Sequence, residues 1–160
     1  MIYLGVDVVV PRKPELVWQV LADVGAYVSW VEGLRHLEHE AGPVFGERAS
    51  FDVRFVHGQK KVSGTAEITR VREPELLAVE VRVRERLALF VRVELEPAPG
   101  GTRVRASSEL AQEAGVMRLL ARAPGLLGAG EPERGPQRAY ERSFTAFQKL
   151  VETRTAAPYR

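Results

Sequence analysis

The chain has 160 residues, a formal net charge of +2 and no cysteine. That length suits one domain with a real core, and the lack of cysteine excludes disulfides, thiolate nucleophiles and Cys-type zinc sites. Nineteen of the 23 basic residues are arginines, but they alternate with acidic residues instead of clustering, so no nucleic-acid partner is expected. The first residues, Met1-Ile2-Tyr3-Leu4 and then Asp7, lack the basic start and continuous apolar stretch of a signal peptide. No window is long enough to span a bilayer. The expectation is a cytoplasmic protein with no integral membrane segment, for which transient membrane contact stays open.

In chain order, Ile2 to Val10 is rich in β-branched residues and reads as a strand that Pro11 closes. Pro14 suits the first turn of a helix, where its missing N–H costs nothing. Val17, Val20, Leu21 and Val24 then follow at helical spacing. Gly25 interrupts this run, and Tyr27 and Trp30 end a second short piece.

From about Gly33 to Leu110 the period changes to two, with a turn signal every ten or so residues. Those signals are Gly42-Pro43, His57-Gly58, Glu73-Pro74, Glu85-Arg86 and Pro97 through Gly101. Phe51, Val53 and Phe55 share one face, as do Val79, Val81 and Val83, then Leu89, Val91, Val93 and Leu95, then Val104, Ala106, Ser108 and Leu110. Such one-sided strands belong to an antiparallel sheet with one covered face. In Gly33 to Glu40 the parity of Leu34 and Leu37 is wrong for a regular strand. Tyr140, Phe144, Phe147 and Val151 stand at i, i+4, i+7 and i+11, which predicts a long helix with one apolar stripe.

The order strand, two short helices, six strands, long helix resembles the START/Bet v1-like (SRPBCC) superfamily, grouped with polyketide cyclases, dehydrases and lipid transporters. The resemblance rests on Val10-Pro11 followed by Pro14-Glu15-Leu16-Val17-Trp18, then Leu21-Ala22-Asp23 with Tyr27 and Trp30. A second signature is Leu95-Glu96-Pro97 leading into Gly100-Gly101-Thr102-Arg103-Val104. The resemblance covers nearly the whole chain and implies an α+β helix-grip fold. In it, a curved antiparallel sheet of six to seven strands wraps a long C-terminal helix, with two short helices after the first strand. One domain over 1–160 is expected, its core spanning about 2–153 and a flexible tail 154–160.

The resemblance also implies a cavity between sheet and helix for a hydrophobic small molecule such as a lipid, quinone or polyketide. The residues expected to line it are Tyr27, Trp30, Phe51, Val53, Phe55, Val81, Val83, Leu89, Val91, Ala106, Ser108, Leu120, Tyr140, Phe144 and Phe147. Gly64 and Ala66 lie on one inward-facing strand, and such small residues favour leaving room. The competing reading is that Phe51, Phe55, Phe144 and Phe147 plug the interior. Ser108 turns inward and either orients a ligand or bonds its own backbone, and Trp30 either meets a ligand or anchors the short helices.

No catalytic constellation is visible. His36 and His39 lie at i and i+3 on a strand and point to opposite faces, so no metal site is expected. There is no Gly-x-Ser-x-Gly elbow, and no cofactor is implied. Glu67, Glu80, Glu94 and Glu109 read as a solvated sheet face beside Arg82, Arg92, Arg103 and Arg105. Gly115 to Gly130 is too apolar for a free loop and too glycine-rich for one helix, and is expected to be a mobile lid, or else a short helix packed permanently over the cavity mouth or against a partner subunit. The leading expectation is a non-enzymatic binder or carrier. A cyclase, aromatase or dehydratase using the same cavity is the alternative, and a chaperone-cofactor-like interaction module is the third.

Overall fold

A computed structural model describes residues 2–57, 60–111 and 134–155. Strand β1 (Ile2–Val10) leads into helix α1 (Pro14–Leu21), a 3₁₀ turn (Val24–Ala26) and the short helix α2 (Tyr27–Trp30). Six strands follow: β2 (Leu34–Ala41), β3 (Ser50–His57), β4 (Lys60–Arg72), β5 (Leu76–Val83), β6 (Arg86–Ala98) and β7 (Gly101–Leu110). Helix α3 (Arg134–Arg154) comes last. The expected Gly115 to Gly130 lid, Leu120 included, lies outside the described residues.

All pairings are antiparallel, in the spatial order β1-β7-β6-β5-β4-β3-β2. β2 to β7 form a meander and β1 returns to pair with β7, as in a Bet v1-like helix-grip fold. Alternation decides which face is covered: Val104, Ala106, Ser108 and Leu110 are buried, while Arg105, Ser107 and Glu109 between them are exposed. On the outer face Arg103 donates twice to Asp7 and holds that carboxyl below its ordinary value. Arg105 pairs with Glu96 and Arg92 with Glu94.

Bulges re-aim side chains where plain parity fails. On β2 the register slips between Leu34 and His36, which turns both Leu34 and Leu37 inward. Between β5 and β6 a slip after Val81 brings Ala88 into a buried cluster with Val62 and Val83. Gly64 reflects the same irregularity: a Cβ there would stand 2.5 Å from the Arg82 carbonyl oxygen. Its missing side chain is therefore occupied by the neighbouring strand, and Gly64 is not in the cavity wall described below.

The outer edge of β1 is covered by α3. Gln137 donates to the Gly5 carbonyl at 2.7 Å and accepts from the Gly5 N–H at 3.1 Å, so its amide takes the place of a pairing strand. Arg12 reaches the other end of α3, donating to the Thr155 and Glu152 carbonyls. The core fills one half of the space between sheet and helix. Val10, Val17, Leu21, Val104, Phe147 and Val151 are all at most 1% exposed.

Candidate functional site

The other half of that space is not filled. Along β6, Val93 and Leu95 are buried whereas Leu89 and Val91 on the same face keep partial exposure, and Val79 on β5 does likewise. Val79, Leu89, Val91 and Val93 border a cavity of about 170 Å³ that Leu95 does not line. Its floor is the inner face of β3 to β6, with Phe51, Val53, Phe55, Ala66, Ile68, Leu77, Val79, Val81, Leu89, Val91 and Val93. Its roof is the N-terminal half of α3 (Tyr140, Ser143, Phe144). The side wall comes from Leu21, Val24, Tyr27, Trp30, Val31, Leu34 and Leu37.

A second lobe of about 160 Å³ adjoins it and shares Val31, Phe55, Val81, Leu89, Tyr140 and Ser143. It adds Leu4, Val62, Val83, Ala88, Leu110 and Ala139, with Glu32 at its rim. Val83 therefore lines this lobe and not the main one. The strand alternation that buries one face thus produces a wall of aliphatic and aromatic side chains, as apolar ligand sites require.

The aromatic residues pack as one row across the roof. Trp30 stands 5.5 Å from Phe144 and 4.9 Å from Phe147 between ring centroids, and Tyr140 stands 5.1 Å from Phe144. Only the front of this row meets the void. Phe147 is 1% exposed within the core and Ala106 is 3% exposed on β7, and neither is in the wall of either lobe. Ser108 is also absent from both walls. Its hydroxyl is buried with no hydrogen-bond partner among the described residues, so it makes no local backbone bond.

Several other polar groups near the void have partners. The Tyr27 hydroxyl donates to the Leu21 carbonyl, and burial, with the Asp23 charge second, pushes that phenol well above its ordinary value. Ser143 Oγ donates to the Ala139 carbonyl at 3.1 Å and accepts from the Glu32 N–H at 2.9 Å. The Glu32 carboxylate accepts from Arg142 at 2.9 and 3.1 Å, tying the end of α2 to α3 beside the second lobe. The Asp23 carboxylate accepts from Arg154 at 2.6 Å. Trp30 Nε1 and the Tyr140 hydroxyl are buried without a partner among the described residues.

Neither His36 nor His39 lines either lobe, although His39 packs edge-on behind Phe51 of the cavity floor at 5.6 Å between ring centroids. His36 Nε2 lies 3.3 Å from Asp52 on the outer face, and His39 Nε2 is 3.0 Å from the Gly42 and Pro43 carbonyls. No cluster of three or more metal-ligating side chains occurs among the described residues, and no described helix is long and apolar enough to cross a membrane.

The expected lining omits eleven residues of the main wall, among them Ala66, which the sequence nonetheless places on an inward-facing strand. Val79 shares the parity of Val81, and Ser143 follows Tyr140 by one helical turn, so both carried a readable signal. Leu34 and Leu37 carried none, because a bulge aims them.

The fold has many relatives among solved structures. Protein CV1439 from Chromobacterium violaceum is 15% identical with a TM-score of 0.70, covering 95% of this chain and 99% of its own. The Zhui aromatase/cyclase from Streptomyces sp. R1128 is 13% identical with a TM-score of 0.70, over 96% of this chain and 94% of its own. The Aha1 dimer from Colwellia psychrerythraea is 12% identical with a TM-score of 0.64, over 95% and 97%. At such identities the likeness is one of fold. No curated protein matches the chain in sequence. A family model described as polyketide cyclase / dehydrase and lipid transport matches residues 1–152. The chain therefore belongs to the polyketide cyclase/dehydrase and lipid-transport family of the SRPBCC superfamily.

Proposed function

We propose that the chain binds or carries a hydrophobic small molecule in the space between the sheet and the N-terminal half of α3. The observation that carries this reading is the contrast along one strand face: Leu95 is buried and lines neither lobe, whereas Leu89, Val91 and Val93 border an apolar void. Burying apolar ligand surface there yields about 25 cal/mol per Å² without any charged contact. Membership of a family that includes lipid transport supports the same reading.

The enzyme alternative needs a proton donor or acceptor facing the ligand with a matched pKa. Among the described residues of both walls, Glu32 is the one carboxylate, and Arg142 engages it at the rim. This favours a carrier over a cyclase. The interaction-module alternative needs a contiguous exposed apolar patch. Among the described residues the large exposed apolar side chains are Tyr3 and Val9 at opposite ends of β1, Val28 on α2 and Val44 after β2, spread over three segments.

Native mass spectrometry of the purified protein, followed by denaturing extraction, tests the proposal. A stoichiometric apolar molecule released on denaturation is the expected result. A protein that carries nothing and takes up no apolar probe would overturn it.

A further inference from the structure

A guest that fills the void meets very little polarity inside it. Of the 21 wall residues of the main lobe, 17 are Leu, Val, Ile, Phe or Ala, and none carries a charge. The second lobe differs in one respect, because Glu32 stands at its rim. A charged group on a guest would lose its hydration inside the main lobe and find no counter-charge there. Any such group is therefore confined to the rim.

The rim carries an arginine that is held in place and only half used. Arg142 Nε donates to both oxygens of the Glu32 carboxylate, at 2.9 and 3.1 Å. The Glu32 N–H in turn donates to Ser143 Oγ at 2.9 Å, which ties the same residue to α3 a second time. This contact takes one edge of the guanidinium. The four N–H donors on Nη1 and Nη2 make no hydrogen bond among the described residues. Their fork is the arrangement that takes the two oxygens of a carboxylate side by side. The Arg142 side chain is 57% exposed and that of Glu32 40%, so a head group there keeps part of its water.

Two further features agree. Arg138 precedes Arg142 by four residues on α3, so both lie on one flank of the helix. Arg138 is exposed and has no partner among the described residues. The adjoining flank, Ala139, Tyr140 and Ser143, walls the second lobe. The two lobes, about 170 and 160 Å³, share Val31, Phe55, Val81, Leu89, Tyr140 and Ser143. They lie end to end from Glu32 at the rim to Ile68 and Leu77 on the floor. That shape suits a flexible chain with one charged end. The Glu32 carboxylate beside the fork disfavours a doubly charged head, so a carboxylate fits better than a phosphate monoester.

Resting on the proposed binding function, we infer that the guest is a straight-chain carboxylate whose head is held by Arg142. Its tail runs through the second lobe into the main one. Glu32 is the positioning residue that aims the guanidinium, and Arg138 adds positive potential beside it.

Four ten-carbon probes test this: decanoate, decyl phosphate, 1-decanol and decylamine, titrated by calorimetry at pH 7.5 into the wild-type chain, Arg142→Met and Arg142→Lys. In the wild type, decanoate is expected to bind about 5-fold tighter than 1-decanol, the size of one charge-assisted contact at a half-exposed site. Arg142→Met keeps the apolar stem, and should bring decanoate down to the affinity of decanol while leaving decanol unchanged. Arg142→Lys should keep part of the preference. The carboxyl ¹³C resonance of bound, carboxyl-labelled decanoate, followed against pH, reports on the head itself. It should titrate below the free acid in the wild type and lose that shift in Arg142→Met. Equal affinity for decanoate and decanol with an unshifted titration overturns the inference but leaves the cavity reading standing. So does tightest binding of decylamine or decyl phosphate, or a preference for decanoate that survives Arg142→Met undiminished. Failure of all four probes to bind overturns the cavity reading and this inference with it.

Discussion

Phe147 and Leu89 both face the space between sheet and helix, yet they have different neighbours. Phe147 is 1% exposed and packs on Trp30 at 4.9 Å, so Phe147→Ala removes a fully packed ring and leaves a new hole. The expected loss, read from urea unfolding, is about 3–5 kcal/mol. Leu89 already borders the void and keeps part of its surface open. Leu89→Ala should cost only about 1–2 kcal/mol, since less surface is withdrawn from contact. Equal losses would mean that the void is closed in solution. The helical spacing of Tyr140, Phe144 and Phe147 was readable from sequence, but it fixes a face and not a depth along the axis. For that reason Phe147 was grouped with the cavity residues although the core has absorbed it.

Tyr140 also sets a response to alkali. Its folded value, raised to about 12 from an ordinary 10, means that the folded chain holds this proton where the unfolded chain has lost it. The stability it contributes is complete below pH 10 and is lost as pH climbs towards 12. Tyr27 is displaced in the same direction by burial. Above pH 10 the urea midpoint of the wild type should therefore fall, and Tyr140→Phe should fall less. Parallel curves for the two proteins between pH 10 and 12 would contradict the buried, protonated phenol.

At the scale of elements, the strand alternation was legible and its interruptions were not. Phe51, Val53 and Phe55 face inward as their period demands, and the four β7 residues Val104 to Leu110 do the same. Leu34 and Leu37 defy the period because β2 slips its register between Leu34 and His36, and the chain bears no local mark of that slip. Gly64 was legible as a small residue, but for the wrong reason. Its absent side chain makes way for the Arg82 carbonyl on β5, not for a ligand. Gly64→Ala should therefore push β4 and β5 apart and cost about 1–3 kcal/mol, while affinity for an apolar probe changes little. An alanine variant as stable as the wild type would show that the two strands can separate freely.

The whole molecule divides along α3. Towards its C-terminus, Phe147 and Val151 meet α1 and the inner face of β6 and β7 in a dense core. Towards its N-terminus, Tyr140 and Phe144 roof the void. One half thus supplies the stability that lets the other half remain unfilled, and an apolar guest should stabilise the folded state by completing the packing. At 100 times its dissociation constant a guest adds about 2.7 kcal/mol, which for a chain of this size corresponds to a rise of roughly 5–10 °C in Tm. Ala66 on β4, 7% exposed and in the middle of the cavity floor, allows that space to be filled from within. Ala66→Phe should fold, because the ring enters existing volume instead of displacing packed atoms, and its Tm without ligand should match or exceed that of the wild type. Saturating 1-decanol should then raise the Tm of the wild type and leave that of Ala66→Phe unchanged. If the variant still gains the full rise, the guest is bound somewhere other than between the sheet and α3.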